Sequence, residues 1–188
     1  MDGEQRYWAF LSYSHKDRDW ANRLHRALVS YAIPRRLIGR QTLVGPAPRR
    51  LRPMFKDREE LAASAELRER VYAALAQSSA LIVLCSPTAA TSPWVEDEIV
   101  RFKAMHGEAR VFAVIVAGAP GASRLPGREA AECFPPALRF HVDSAGVLTD
   151  RHAELIAADL RPNGDGRKLA KLKNRFLPAS RPSVGPSS

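Results

Sequence analysis

Apolar stretches alternate along the chain with stretches in which apolar residues recur at helical spacing. Three of the apolar stretches are almost uninterrupted, which is typical of strands covered on both faces: residues 7–13, 80–85 and 111–116. A weaker strand is predicted over residues 51–56, where Pro53 favours a position at the sheet edge. A short strand is predicted over residues 138–142.

The segments between these strands carry the helical pattern. Apolar side chains follow helical spacing from Trp20 to Tyr31, and Pro34 closes that region. A second helix is predicted over residues 65–77 and a last helix near residues 167–176. A third helix lies between these two. It is expected to begin at Ser92 and Pro93, because serine caps helices and proline fits the first turn, and to end at Gly107.

The alternation of strands and helices predicts the fold class. Strands joined through helices form right-handed crossovers, so the sheet is parallel with helices on both faces. We predict a flavodoxin-like three-layer αβα fold with a central parallel five-stranded sheet in the order 2-1-3-4-5. Binding sites in such sheets form where the strand order reverses, beyond the carboxyl ends of the strands. That places the site between the loops of residues 12–17 and 86–92.

One domain is expected over residues 1–176, with residues 7–116 as its best-supported part. A Pro/Ser tail over residues 177–188 is predicted to be disordered. Residues 34–50 read as a long, basic insertion loop rich in Gly, Pro and Arg. No G-x-G-x-x-G follows the first strand and no P-loop is present, which argues against the common nucleotide-binding motifs.

The net charge of +9 is unevenly distributed. Residues 33–56 carry seven basic side chains and no acid, and residues 161–188 carry a net charge of +6, which leaves −4 for the rest of the chain. Such segments attract phosphates, acidic partners or an anionic membrane surface. We favour a solvated Arg-rich loop over a dedicated nucleic-acid site, and nucleic acid is not expected as a partner.

Cysteine usage and the N-terminal sequence bear on the compartment. Cys85 and Cys133 form neither a disulfide framework nor a Cys/His metal cluster, which fits a reducing compartment, and Cys85 is expected to be a buried thiol. The first residues are polar and acidic, unlike a signal peptide, and no apolar stretch approaches the length of a membrane span. A cytoplasmic protein without a transmembrane segment is therefore predicted.

The third helix presents three clustered acids of different character. Its buried stripe is predicted to consist of Val95, Ile99 and Phe102. At about 100° per residue, Trp94 and Glu98 share the flank of that stripe, one turn apart, whereas Glu96 and Asp97 point into solvent. A carboxylate at an apolar border beside an aromatic ring is typical of sugar-directed catalytic groups, although most helical glutamates are ordinary surface residues.

Three motifs in register resemble the TIR (Toll/interleukin-1 receptor) domain family, in its bacterial form. Residues 10–14 (FLSYS) resemble its first box, residues 55–61 (FKDREEL) its second box and BB loop, and residues 86–87 with 92–98 (SP and SPWVEDE) its strand C to helix C signature. Order and spacing agree over roughly residues 7–116.

The resemblance implies two possible activities. A subset of the family cleaves NAD+ at the nicotinamide–ribose bond with a helix C glutamate, a position that Glu98 occupies here, giving ADP-ribose or a cyclic isomer. The alternative is a non-catalytic homotypic interaction module in signal transduction, and Ser64, where many relatives carry glycine, favours it. NAD+ would be a substrate, and no metal or cofactor is expected. Partners would be other TIR domains or copies of this chain, through the loop of residues 57–64.

The resemblance and the topology together name a set of substrate-binding candidates. Those in the first box could line the ribose or phosphate pocket, those in the BB loop belong to a lid, and the helix C aromatic offers a stacking surface. They are Ser12, Tyr13, Ser14, His15, Asp57, Ser64 and Trp94.

Overall fold

Strands and helices alternate in the computed structural model, which describes residues 6–56, 65–155 and 157–162. The strands are β1 (Ala9–Ser12), β2 (Gln41–Thr42), β3 (Gly45–Pro46), β4 (Met54–Lys56), β5 (Leu81–Cys85), β6 (Val111–Ile115), β7 (Phe140–Val142), β8 (Leu148–His152) and β9 (Ala157–Asp159). The α-helices are α1 (Arg18–Val29), α2 (Ala65–Ala76), α3 (Pro87–Ala90), α4 (Pro93–His106) and α5 (Pro136–Arg139).

Five of these strands form one parallel sheet in the order β4-β1-β5-β6-β9. Counted along the chain, that is the predicted order 2-1-3-4-5. The order reverses at β1, whose neighbours are β4 on one side and β5 on the other. The flavodoxin-like α/β fold class predicted from the alternation of elements is thereby confirmed.

Alternate residues of each central strand enter two separate cores, one on each face of the sheet. On one face, Leu11 and Ile82 pack with the buried side of α1. On the other face, Phe10 and Val83 pack with α2 and α4. Because each strand is buried on both faces, its sequence is apolar throughout instead of alternating. The result is the predicted arrangement of three layers.

Helix α4 begins and ends where the sequence predicts. The Ser92 hydroxyl accepts a hydrogen bond from the Val95 backbone N–H at 3.4 Å, and Pro93 occupies the first turn. Gly107 follows the last turn with a φ of +77°, a conformation that glycine adopts without a steric penalty. These two ends fix the register of the helix, and with it the positions of Trp94 and Glu98.

The insertion of residues 34–50 is a folded element instead of a featureless loop. It contains a short 3₁₀ helix at Arg35–Leu37 and the β2–β3 hairpin, in which the Thr42 hydroxyl donates a 2.6 Å hydrogen bond to the Gly45 carbonyl. Its apolar side chains join the core on the α1 face: Leu37, Val44 and Ala47. These isolated apolar residues lie among arginines and prolines, so no periodic pattern signals their burial.

The short strand predicted over residues 138–142 has a different role from the sheet strands. Phe140–Val142 is β7, and it pairs antiparallel with β8 in a hairpin outside the main sheet. The fifth sheet strand is β9, which has three residues, of which Ala158 is buried. So short a strand carries no periodic signal. The predicted helix near residues 167–176 and the tail of residues 177–188 lie outside the described residues.

No helix in the described ranges is both long enough and apolar enough to cross a membrane.

Candidate functional site

A cavity of about 470 Å³ lies at the carboxyl ends of β1 and β5. The loop after β1 and the segment from α3 to the first turn of α4 form its wall: Ser14, His15, Lys16, Thr88, Thr91, Ser92, Pro93 and Trp94. The strand order reverses between these two strands, so the cavity occupies the place that the predicted topology indicated. Its volume falls within the usual range for small-molecule sites.

Six of the eight described lining residues are polar or charged, and none of the eight is acidic. Hydroxyl groups come from Ser14 and Thr88, and the exposed side chains of His15 and Lys16 stand at the same wall. The first turn of α4 also reaches the cavity, and the N-terminus of a helix favours negative charge. Such a wall suits a ligand that carries both hydroxyl groups and phosphates.

A buried carboxylate joins the two loops behind this wall. Asp17 is 9% exposed, and its Oδ2 accepts hydrogen bonds from the hydroxyls of Ser86 at 2.5 Å and Thr88 at 3.2 Å. The Ser86 and Thr88 oxygens are themselves 2.9 Å apart, and the Ala89 backbone N–H donates to Ser86 at 3.1 Å. The loop after β1 is thus held to the first turn of α3.

Trp94 presents a partly open aromatic face at the cavity. It is 36% exposed, and the Arg68 guanidinium of α2 lies 5.1 Å from its ring centroid. A cation at that distance interacts favourably with the face of the ring. This contact joins α2 to the first turn of α4.

Glu98 follows Trp94 by one turn but is more deeply buried than helical spacing indicates. The side chain is 3% exposed and does not belong to the described lining of the cavity. Spacing gives the angular position of a residue on its helix, whereas its exposure depends on what packs over that flank. A carboxylate buried to this extent needs polar partners. It can contact a sugar only after a conformational change that exposes it.

The other two acids of α4 do not simply point into solvent, as their spacing predicted. Both Glu96 carboxylate oxygens accept hydrogen bonds from the Ala137 backbone N–H of α5, at 3.0 and 3.1 Å. Burial raises the pKa of Glu96, although the Ala137 N–H opposes that shift. Asp97 accepts from the Tyr72 hydroxyl at 2.8 Å and pairs with Arg101. Helical spacing does not predict these contacts, because α2 and α5 cover this side of α4.

The predicted substrate-binding residues fall into three groups. Ser14, His15 and Trp94 line the cavity. Ser12 and Tyr13 are buried behind it, and the Ser12 hydroxyl has no hydrogen-bond partner among the described residues. Asp57 and Ser64 lie outside the described residues, as does the loop between them.

Several residues at the site were not singled out from the sequence. Lys16, Asp17, Thr88 and Arg68 each contribute a contact or a charge at the cavity or behind it. The sequence offered a signal for Asp17 and Thr88, since both stand in the loops at the predicted switch point. Arg68 carried none, because it belongs to an ordinary helical face.

The two thiols near the end of β5 are both buried and free. Burial raises the pKa of Cys85 well above its usual value and that of Cys133 to about 12. In the described part of the chain, no group of three or more His, Cys, Asp or Glu side chains is arranged to hold a metal ion.

The sheet order and the position of the cavity define a doubly wound α/β domain. A family model for TIR domains matches residues 9–135, more than half of the chain, so the protein belongs to the TIR domain family. The resemblance carried by the three sequence motifs is thereby confirmed.

Two known proteins illustrate the similarity. The chain is 38% identical over 114 residues to the NAD(+) hydrolase ApTIR of Actinoplanes sp., a match that covers 60% of this chain and 14% of that protein. It also resembles the TIR domains in the structure of the activated Roq1 resistosome directly recognizing the pathogen effector XopQ. That match has 23% identity, a TM-score of 0.46 and coverage of 66% of each chain.

Proposed function

We propose that this TIR domain cleaves NAD+ at the nicotinamide–ribose bond, with Glu98 as the catalytic carboxylate. The observation that carries the proposal is the cavity at the topological switch point, with Trp94 in its wall and Glu98 one turn further along α4. The similarity to an NAD(+) hydrolase supports the choice of substrate, although the aligned segment is only 14% of that protein.

The wall of the cavity suits the parts of a dinucleotide. The exposed face of Trp94 offers a stacking surface for a nicotinamide or adenine ring. Lys16 and the N-terminus of α4 bring positive charge to the cavity wall, which favours a pyrophosphate, and the His15 ring can form a hydrogen bond with a ligand. The Ser14 hydroxyl can donate to a ribose or phosphate oxygen, whereas the Thr88 hydroxyl, which donates to Asp17, can accept from a ribose hydroxyl.

The reaction requires little proton transfer to the leaving group. The bond between ribose C1′ and the nicotinamide nitrogen breaks, and its electron pair neutralises the cationic ring as nicotinamide leaves. The oxocarbenium-like ribose that remains is stabilised by the negative charge of Glu98. Water then attacks C1′ and releases a proton, which gives ADP-ribose. Attack by an adenine nitrogen instead would give a cyclic product.

The burial of Glu98 sets a condition on this mechanism. At 3% exposure the carboxylate does not meet solvent in the described conformation. We therefore expect turnover to require a second conformation in which the flank of α4 between Trp94 and Glu98 opens toward the cavity. Assembly of several domains is one way to supply the free energy for that change, because a partner that binds only the open form shifts the population toward it.

A second candidate function is homotypic interaction without turnover. The burial of Glu98 favours this function, because a domain in which Glu98 stays buried can act as an assembly module without binding NAD+ at that carboxylate. It predicts self-association that rises with protein concentration, measured by sedimentation, and no nicotinamide release at any concentration. The loop of residues 57–64 stays the predicted contact.

The test measures nicotinamide release from NAD+ by chromatography, over a range of protein concentrations. We expect wild type to release nicotinamide and Glu98→Gln to be slower by at least about 100-fold, because the amide cannot balance the charge on the ribose. Asp97→Asn is the matched control: it makes the same chemical change one residue earlier, at a surface ion pair, and should stay within about threefold of wild type.

The outcomes separate the candidates. Turnover that persists in Glu98→Gln would remove Glu98 from the catalytic role while leaving an enzyme. Absence of turnover in assembled wild type would favour the interaction module.

A further inference from the structure

Positive charge is concentrated away from the cavity, in the connection between α1 and β4. No Asp or Glu occurs between Asp19 and Asp57, a segment that includes the whole connection from α1 to β4. Within that connection, six arginine side chains are exposed: Arg35, Arg36, Arg40, Arg49, Arg50 and Arg52. None of the six forms an ion pair with another described residue. We call them the arginine face.

Backbone hydrogen bonds place the two arginine-bearing segments side by side. The Ile33 N–H donates to the Arg49 carbonyl at 3.1 Å, and the Ala47 N–H donates to the Arg40 carbonyl at 2.8 Å. Ala32 and Arg50 also form an antiparallel bridge. The segment that carries the first three arginines therefore lies beside the segment that carries the last three, although 8 residues separate Arg40 from the next arginine in the sequence.

Buried apolar side chains hold this surface in place. Leu37, Val44 and Leu51 are each at most 6% exposed and pack into the core beneath α1. These buried anchors favour a binding surface over a solvated loop. When a ligand binds to charges whose positions are already fixed, less conformational entropy is lost.

The arginine face and the candidate NAD+ cavity lie at opposite ends of the sheet. The cavity is at the carboxyl ends of β1 and β5. The insertion rejoins the sheet at the amino ends of the strands. There the backbone N–H of Trp8, which precedes β1, donates a 2.7 Å hydrogen bond to the carbonyl of Pro53, which precedes β4. The face is therefore not a part of the nucleotide site.

We propose that the arginine face binds the phosphate backbone of nucleic acid without reading its sequence, which replaces the solvated loop that the sequence alone favoured. Every cation of the face is a guanidinium, whose planar fork matches two phosphate oxygens at once. Nucleic acid presents a dense and regular array of phosphates, about one charge per 1.7 Å of duplex axis, to a segment that carries six exposed arginines and no acid. This site is independent of NAD+ cleavage.

The composition of the face argues against a membrane surface as its occupant. Peripheral membrane binding combines basic side chains with apolar or aromatic ones that enter the lipid. Leu43, which is 60% exposed at the tip of the β2–β3 hairpin, is the one large exposed apolar side chain of the insertion. The face therefore offers charge with little apolar area, the balance that suits a nucleic-acid backbone.

The test measures the affinity of the full chain for a fluorescent DNA duplex of about two helical turns, by anisotropy over roughly 50 to 200 mM salt. The face variant carries Arg36→Glu, Arg40→Glu and Arg49→Glu. The matched control carries Arg124→Glu, Arg128→Glu and Arg151→Glu, three exposed arginines outside the insertion. Both variants lower the net charge equally and leave the basic segment of residues 163–188 intact.

We expect wild type to bind the duplex with a steep salt dependence. The face variant should lose at least about 30-fold in affinity at the lowest salt, and the slope of log affinity against log salt should become shallower by about 2 to 3. The control should stay within about fivefold of wild type. Thermal unfolding checks that both variants are folded, and the milder Arg→Gln changes at the same three face positions should give an intermediate loss.

Three results would overturn the proposal: no duplex binding by wild type at low salt, equal losses in the face variant and the control, or binding to phosphatidylserine vesicles in place of the duplex. Nicotinamide release is expected to be the same in wild type and the face variant. The two proposals can therefore fail separately.

Discussion

Asp17 and Ser86, 69 residues apart in the sequence, are joined by a hydrogen bond of 2.5 Å from the Ser86 hydroxyl to Asp17 Oδ2. Asp17 precedes α1 and Ser86 caps α3, so the bond connects the loops that follow β1 and β5. These loops form the wall of the cavity. The shape of the candidate site therefore depends on one buried carboxylate that does not itself line it.

Replacing Asp17 by alanine should destabilise the fold. The hydroxyls of Ser86 and Thr88 would lose their shared acceptor, which costs about 2 kcal/mol of unfolding free energy. Asp19→Ala, two residues later on the exposed first turn of α1, should cost less than about 1 kcal/mol. Urea unfolding of both variants measures the difference, and equal losses would mean that the network contributes nothing beyond helix electrostatics.

Gly118 is expected to tolerate no side chain. Its φ is +80°, and an added Cβ would lie 2.9 Å from the Ala131 carbonyl oxygen, Cys133 Cβ and Pro87 Cδ. Gly127 has nearly the same φ, +78°, with nothing within 4 Å of a Cβ. Both alanine variants carry the strain of positive φ, about 1 kcal/mol, and Gly118→Ala adds about 1 to 3 kcal/mol of overpacking. Thermal unfolding should place Gly118→Ala well below Gly127→Ala, and coincident transitions would refute the close packing.

The two cysteines should be unreactive in the folded protein. Cys85 is fully buried, and the raised pKa values of both thiols, about 12 for Cys133, leave almost no thiolate at pH 8. A thiol reagent such as Ellman's reagent should find no reactive group in native protein and two after denaturation. Rapid modification of either cysteine at pH 8 would contradict the described packing.

Stability should fall as the pH drops below about 6.5, in part because of His106. Burial lowers the pKa of His106, and the nearby Arg110 lowers it further, while its ring packs against Phe102 at 4.7 Å. The unfolded chain then takes up a proton at a pH where the folded chain does not, so the stability present above pH 6.5 is lost as the pH falls through the folded pKa. His25 acts in the same direction.

Urea midpoints between about pH 7.5 and 5 measure this dependence. His106→Gln should flatten the curve partly, because His25 remains. The exposed His152, replaced by Gln, controls for loss of an imidazole. An unchanged slope in His106→Gln would exclude His106 as a source of the pH dependence.

The sequence predicted the elements whose burial is continuous. β5 and β6 are apolar at every position, and the capping residues Ser92 and Gly107 bound α4, so their places followed from periodicity and caps. From these elements came the strand order, and from the strand order the position of the cavity. The short strand β9 carried no pattern, because its three residues are held by pairing with β6 instead of by their own preference.

The parts of the site that depend on helical spacing were predictable from the sequence. Spacing placed Trp94 and Glu98 on one flank of α4, and Trp94 does line the cavity. The 3% exposure of Glu98 and the contacts of Glu96 with Ala137 depend on segments packed from elsewhere in the chain. The hydrogen bond between Asp17 and Ser86 is also non-local, so it cannot be predicted from the sequence of either segment alone.

Fluorine NMR of the tryptophans can show whether NAD+ binds at the cavity. The chain has three tryptophans, Trp8, Trp20 and Trp94, of which Trp94 lines the cavity. In Glu98→Gln protein labelled with 5-fluorotryptophan, each gives one fluorine resonance, assigned by Trp→Phe changes. NAD+ titration should shift the Trp94 resonance to saturation and leave Trp8 and Trp20 in place. A saturable shift confined to Trp8 or Trp20, or no shift of Trp94 at millimolar NAD+, would contradict binding at this cavity.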